Sequence, residues 1–284
     1  MKGKDKMKKA ISYVLSFVLV LMLLSLCLLA IVKSTILDEK YMISKLEEAN
    51  YYERMNGEII EQFKNYTIQS GLSDEVLENL FTEDKLKQDI NNVIDSIYTG
   101  KELEISTSEI RENLKENILA EVEKEGKTVD FEDEAMVEYL KAIESAYESQ
   151  VSYSTSTINS IGSTFEKIIS LAKTAQTILV TVIVVVAILL IAINIKVIFG
   201  LNYIAISGMA SGLFILVSRI MLEHSTDLKN IMVINQATSN VIQLIINDVL
   251  TKITIIGVIL LVIGLVFSVI YNLLHKKYYD ETEK

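Results

Sequence analysis

The sequence predicts an all-α integral membrane protein with four transmembrane helices in a 1+3 order and an extracytoplasmic helical domain between the first and second. Three observations predict it. Half of the 284 residues are hydrophobic and 23% are charged, and the two classes are segregated along the chain. Four apolar runs are long enough to cross a hydrocarbon core of about 30 Å, which takes about 20 helical residues at about 1.5 Å each. Proline is absent, where average usage would place roughly fourteen, and the aliphatic residues recur at helical spacing.

Residues 1–9 form a basic tail with five lysines and one aspartate, and residues 10–32 form the first span, 23 residues without a charge. A cleaved signal peptide would have an apolar region of about 7–15 residues and a small-residue cleavage site. This run is longer and its end lacks such a site, so an uncleaved anchor is expected. Cys27 lies inside the run behind Leu26, where lipid attachment would need a small residue. It reads as an inert buried thiol.

Residues 33–174 form the acidic extracytoplasmic helical domain. Residues 34–174 carry 30 acidic and 14 basic residues, a balance of −16, against 13 basic and seven acidic elsewhere. Such a charge keeps a domain soluble and away from anionic lipid and nucleic acid. Met42, Leu46, Ala49, Tyr52, Met55, Ile59, Phe63 and Tyr66 mark one long helix, expected to run straight out of the first span. A break at Ser70–Asp74 precedes a short helix over 74–81. Thr82 caps a helix over 83–98 that stops near Gly100. Ser106 and Glu109 fit a capping box for a helix reaching Glu125 and ending at Gly126. From Met136 to Ala172 the spacing continues into the second span, weakened by the polar tract Ser152–Thr164, a hinge or wet section. The expected picture is two long helices continuous with spans one and two, with a small helical cap between them. Their apolar stripes serve as core, or alternatively as a groove for a partner.

The second span is 175–195, the third 203–221 and the fourth 253–274. Lys196–Asn202 reads as a tight turn, with Gly200 and Asn202 as its turn residues. Residues 222–252 are too polar to span lipid. Ile231, Ile234, Ala237, Val241, Leu244, Ile245 and Val249 lie on one side, opposite Asn230, Asn235, Gln236, Ser239, Asn240, Gln243 and Asn247. Two arrangements fit, an amphipathic helix lying on the membrane or folded back on the two long stalk helices, and a re-entrant, pore-lining segment. Residues 275–284 form the second tail. The basic residues of both tails and Lys196 place both termini in the cytoplasm, although Lys229 and Lys252 lie on the other side. The 24 lysines against three arginines (Arg54, Arg111, Arg219) and the missing prolines reflect A/T-rich codons, hence the plasma membrane of a low-G/C bacterium.

The residues give little sign of catalysis. One cysteine and two histidines exclude a disulfide framework and multi-cysteine zinc sites. His224 and His275 fall on opposite sides of the membrane. No zincin helix, phosphate loop or calcium loop is present. Glu121, Glu123 and Glu125, and Asp130, Glu132, Asp133 and Glu134, read either as complements to helix ends or as a weak oxygen-only divalent site. No catalytic, cofactor or metal residue is assigned. The spans lack the buried charges of a coupling-ion site. Arg219 and Glu223, four apart, read as an interfacial ion pair.

The candidate site residues are instead small. Ala205, Gly208, Ser211 and Gly212, with Ser207, form a patch on span three, and Gly257, Gly264 and Ser268 form a thin side on span four. Small residues let helices approach closely in lipid, either within the chain or in a dimer or partner seam. The function expected is that of a non-enzymatic multi-pass accessory or scaffold subunit. Its partners would be membrane lipid and a protein partner or a second copy, not nucleic acid. A sensor acting through a lateral membrane partner and a channel or permease subunit are the alternatives.

Overall fold

A computed structural model describes residues 2–124, 126–152, 155–194, 197–224 and 236–282. Among these the secondary structure is helical, without strands. The elements are α1 (Lys2–Lys33), α2 (Glu39–Glu48), α3 (Tyr51–Ser70), a 3-10 turn (Asp74–Leu77), α4 (Glu83–Thr99), α5 (Ser108–Lys124), α6 (Glu134–Ser152), α7 (Thr155–Ile193), α8 (Val197–Glu223) and α9 (Gln236–Thr282). Four helices, α1, α7, α8 and α9, hold stretches long and apolar enough to cross a membrane, which gives the chain a membrane location.

The chain divides into two compact units. One takes Met1–Asp38, Ser170–Met232 and Gln243–Lys284, and the other takes Glu39–Ile169 and Val233–Ile242. Helices α7 and α9 each supply residues to both.

In the membrane unit, two apolar clusters line the inner faces. Leu19, Val186, Leu190 and Tyr203 form one, and Cys27, Ile31, Ile215 and Ile253 form the other. Lysines near the ends of the apolar stretches bond to this unit's own polar groups. Lys33 Nζ donates to Gln176 Oε1 at 2.6 Å and Lys252 Nζ to the Ser34 carbonyl at 2.8 Å.

The second unit has an ordinary water-facing core. Ile59 and Phe63 of α3, Leu86 of α4, Ile110, Leu114 and Ile118 of α5, and Ile143 and Tyr147 of α6 are all buried. The rings of Phe63 and Phe81 meet edge to face at 6.4 Å, and those of Phe81 and Tyr147 at 5.0 Å. One charged group lies in this core. Asp89 accepts from Lys85 Nζ at 2.5 Å and from the Tyr147 hydroxyl at 2.8 Å, so its charge is buried with both a counter-ion and a donor.

Several helix ends follow the sequence. Thr82 accepts from the Lys85 amide at 3.1 Å. Gly71, Gly100 and Gly126 all take positive φ, the left-handed conformation that closes a helix.

Other segments differ from expectation, each for a local reason. The helix after the first span is not continuous. The α1 end closes with the Leu37 amide bonded to the Val32 carbonyl at 3.0 Å and the Thr35 hydroxyl to Ile31 at 2.7 Å. A second break falls at Asn50, φ 51°, a residue type that tolerates this conformation. The 74–81 helix shortens to one 3-10 turn because asparagines of α5 take its carbonyls. Asn117 Nδ2 bonds Val76 and Glu78 at 3.0 and 2.7 Å, and Asn113 Nδ2 bonds Leu80 at 3.0 Å. Ser106 forms no capping box, since α5 starts at Ser108. The Ser106 hydroxyl pairs with Ser108, and Thr107 donates to Glu144 of α6, which also accepts from Arg111.

The polar tract at the start of α7 is held against α4. Asn159 Oδ1 accepts from the Leu103 amide at 2.9 Å, and Tyr98 meets Phe165 edge to face at 5.0 Å. A Cβ on Gly162 would lie 2.5 Å from the Ser96 carbonyl oxygen, so only glycine fits there. Tyr153 and Ser154 of the tract lie outside the described residues.

Only part of the 222–252 segment is described. Its described part from Gln236 onward is the first part of α9, continuous with the fourth span. Ala237 is fully buried, and its amide donates to Glu58 Oε1 at 3.4 Å. A carboxylate beside a helix N-terminus complements the dipole. Lys229, Asn230, Ile231, Ile234 and Asn235 lie outside the described residues, as do Lys196 and Glu125.

The core tyrosines make the second unit sensitive to alkali. Burial, and after it the nearby Glu47 carboxylate, pushes the Tyr52 hydroxyl up to about 12. Burial and the bond to Asp89 raise Tyr147, and burial raises Tyr139. An unfolded tyrosine ionises near pH ~10, so above that pH the unfolded chain releases protons that the folded chain retains. The stability contribution of these groups is therefore complete below pH ~10 and falls as the pH rises toward the folded values. In detergent, helix loss in far-UV dichroism should coincide with phenolate absorbance above pH ~10. Tyr52→Phe should reduce the pH dependence; early phenolate absorbance without helix loss would show that these hydroxyls are not held in the core.

Candidate functional site

The small residues of α8 form two faces with different partners. Helix geometry sets this division: Ala205, Gly208 and Gly212 lie at i, i+3 and i+7, while Tyr203, Ser207 and Ser211 lie at i, i+4 and i+8.

The first face meets α9. A Cβ on Gly208 would sit 3.2 Å from the Gly264 Cα, and one on Gly264 would sit 2.5 Å from the Met209 amide and 3.0 Å from the Ala205 carbonyl. A Cβ on Gly212 would be 2.6 Å from the Leu261 amide and 2.8 Å from the Gly257 carbonyl, and one on Gly257 would be 3.0 Å from the Leu216 side chain. Backbone approaches backbone at Gly208, Gly212 and Gly264, while Gly257 makes room for the Leu216 and Ile215 side chains. These four glycines are occupied inside the chain.

The second face meets α1 through hydroxyls. Ser16 and Ser207 Oγ are 2.6 Å apart. Ser207 Oγ lies 2.9 Å from the Tyr203 carbonyl oxygen and 3.1 Å from that of Ser16, and its one proton serves either of them as an acceptor. Ser211 is fully buried and bonds back to Ser207 at 2.7 Å. Beyond this ladder, Asn194 Nδ2 bonds Ser12 Oγ at 3.0 Å and the Leu190 carbonyl at 2.7 Å. The Tyr13 and Tyr203 rings meet edge to face at 5.4 Å. Sequence reading missed Ser12 and Ser16. The signal was their i, i+4 spacing within an otherwise aliphatic span.

Gly200 and Asn202 are not turn residues, because α8 begins at Val197. A Cβ on Gly200 would lie 2.6 Å from the Ile191 Cα, so Gly200 is a third close approach, to α7. Arg219 and Glu223 pair at 2.5 Å in the last turns of α8. Arg219 Nε is buried without a partner among the described residues. Cys27 is a free buried thiol against Ile31, Ile215 and Ile253.

The chemistry available to this seam is packing. Its serine hydroxyls bond carbonyls and one another, with no base in these bonds to activate them as nucleophiles. Hydrogen bonds between helices in lipid average about 0.6 kcal/mol, whereas overpacking a closed interface costs about 1–3 kcal/mol or more. Adding a side chain at one of these glycines is therefore expected to cost more than losing one of the hydroxyl bonds.

The water-facing unit carries a cleft of about 750 Å³ between α3, α6 and the 128–133 segment. Its walls include Tyr66, Tyr139, Asp130, Asp133, Met136 and Glu138. Among the described residues no group of three or more His, Cys, Asp or Glu is placed to hold a metal ion.

Gly208→Leu combined with Gly212→Leu should separate α8 from α9 and lower the thermal stability of the detergent-solubilised chain, with aggregation or loss of the folded species in size-exclusion chromatography. Gly57→Ala, where a Cβ meets nothing within 4 Å, should leave both unchanged. Wild-type stability and oligomer size in the double leucine variant would show the seam to be incidental.

Comparison with known proteins finds no relative: no protein-family model matches the chain, no curated protein matches it, and no solved structure matches it.

Proposed function

We propose that this chain is a non-enzymatic, multi-pass plasma-membrane protein of a low-G/C bacterium, an accessory or scaffold subunit whose extracytoplasmic helical domain contacts a partner protein. The observation that carries this reading is the concentration of charge. A balance of −16 falls on residues 34–174, and most of that stretch folds as a unit with its own buried core. A domain of this kind presents a charged surface to water while the spans provide the anchor. The lysines of the two tails support cytoplasmic termini.

One observation favours a sensor as the second reading. Helix α7 supplies residues to both units within a single helix, Thr155–Ile193. A sensor of this kind would act through a lateral membrane partner.

Purification in mild detergent should recover a stoichiometric membrane partner that is lost when residues 39–169 are replaced by a flexible linker. Recovery of the chain alone, together with ion flux in proteoliposomes of the pure protein, would replace this reading by a channel. A C-terminal reporter active only outside the cell would overturn the topology.

A further inference from the structure

We propose that the cleft beside α6 binds a small organic cation, an alkylammonium or quaternary ammonium compound. Its volume of about 750 Å³ lies within the range of about 300–1,000 Å³ typical of small-ligand sites. Three exposed carboxylates, Asp130, Asp133 and Glu138, stand in its walls, and among the described residues no Lys, Arg or His lines it. The sign of the ligand follows from that lining. Among the described residues the acids form no group able to hold a metal ion. A bare divalent ion would find too few oxygens at once, whereas a cation on a hydrocarbon body can meet one carboxylate and fill the remaining space.

The other walls suit that body. Tyr66 presents half-buried aromatic surface and Met136 a polarisable thioether, while the ring of Tyr139 is buried. Cations associate with tyrosine faces, and quaternary ammonium ions do so in many recognition sites.

The site is also organised before any ligand arrives. Asp130 Oδ1 accepts from the Glu132 amide at 2.9 Å, and Asp133 Oδ1 accepts from the Ala135 amide at 3.0 Å. The Tyr139 hydroxyl is fixed to Thr67 at 3.1 Å. Groups held in this way lose little freedom on binding. The −16 balance of the segment raises the local concentration of cations, and the cleft is where hydrocarbon surface adjoins that charge.

An ammonium group can come from a free amine or from a lysine of another protein, and the test separates them. Calorimetric titration of the full chain in zwitterionic nanodiscs at about 150 mM salt uses choline, cadaverine and a trilysine peptide as probes. Saturable binding of choline or cadaverine is expected, one per chain. It should weaken at least ~10-fold in Asp130→Asn combined with Asp133→Asn, which keeps both backbone bonds, and at least ~5-fold in Tyr66→Leu. Asp95→Asn removes an acid on α4 outside the cleft and should leave it unchanged. If the double asparagine variant misfolds, Glu138→Gln carries the same expectation. Heat that never saturates, or that falls equally in Asp95→Asn, would overturn the site. Saturable binding of trilysine alone would overturn the small-molecule assignment. No partner protein enters the titration, so its result stands apart from that of the accessory-subunit reading.

Discussion

The membrane unit depends on the absence of side chains from α8 where it meets its neighbours. In lipid, helices gain nothing by hiding apolar surface from a solvent that is itself apolar, so association rests on close packing and on hydrogen bonds between helices. Gly208 and Gly212 bring the α8 backbone against Gly264 and Leu261, and Gly200 brings it against Ile191. The Ser16–Ser207 contact joins it to α1. Three neighbours thus meet one helix through atoms that nearly any other residue would displace. The apolar residues facing away, such as Phe214, Val217 and Met221, stay exposed on α8 and are left for lipid.

The other unit obeys a different solvent. Its core is aliphatic and aromatic in the ordinary way, and its stability comes from removing that surface from water. The polar groups that do enter are matched. Asp89 is held by Lys85 and Tyr147, and Thr67 by Tyr139. Breaking one partner of such a set leaves a buried polar group unsatisfied, at roughly 1–3 kcal/mol or more. The surface keeps the charge, much of it in exposed pairs such as Lys101–Asp95 and Lys124–Glu75, which contribute little to folding but set the field around the unit.

These two solvents meet in the helices α7 and α9, whose residues fall in both units. Gly162 holds the first turns of α7 against the end of α4, and Asn159 bonds the Leu103 amide just beyond it, while the second half of α7 is the apolar stretch. The cleft beside α6 adds a place where a ligand could bias the same unit.

The sequence by itself determined which segments are long and apolar enough to cross a membrane, where the charge resides and most helix stops, because these are properties of local composition and of glycine's access to positive φ. Thr82, Gly71, Gly100 and Gly126 were legible for that reason. The small residues on spans three and four were legible as a packing feature, but not their partners. Tertiary structure alone decided that α8 turns glycine to α9 and serine to α1, that Ser12 and Ser16 complete the hydroxyl ladder, and that Gly200 packs rather than turns. It also decided that asparagines of α5 dissolve the 74–81 helix and that residues from Gln236 onward join the fourth span as one helix. The physical reason is common to all of these. Each outcome depends on a group distant in sequence that either occupies the same space or satisfies the same hydrogen bond, and periodicity within one segment holds no record of which distant group that is.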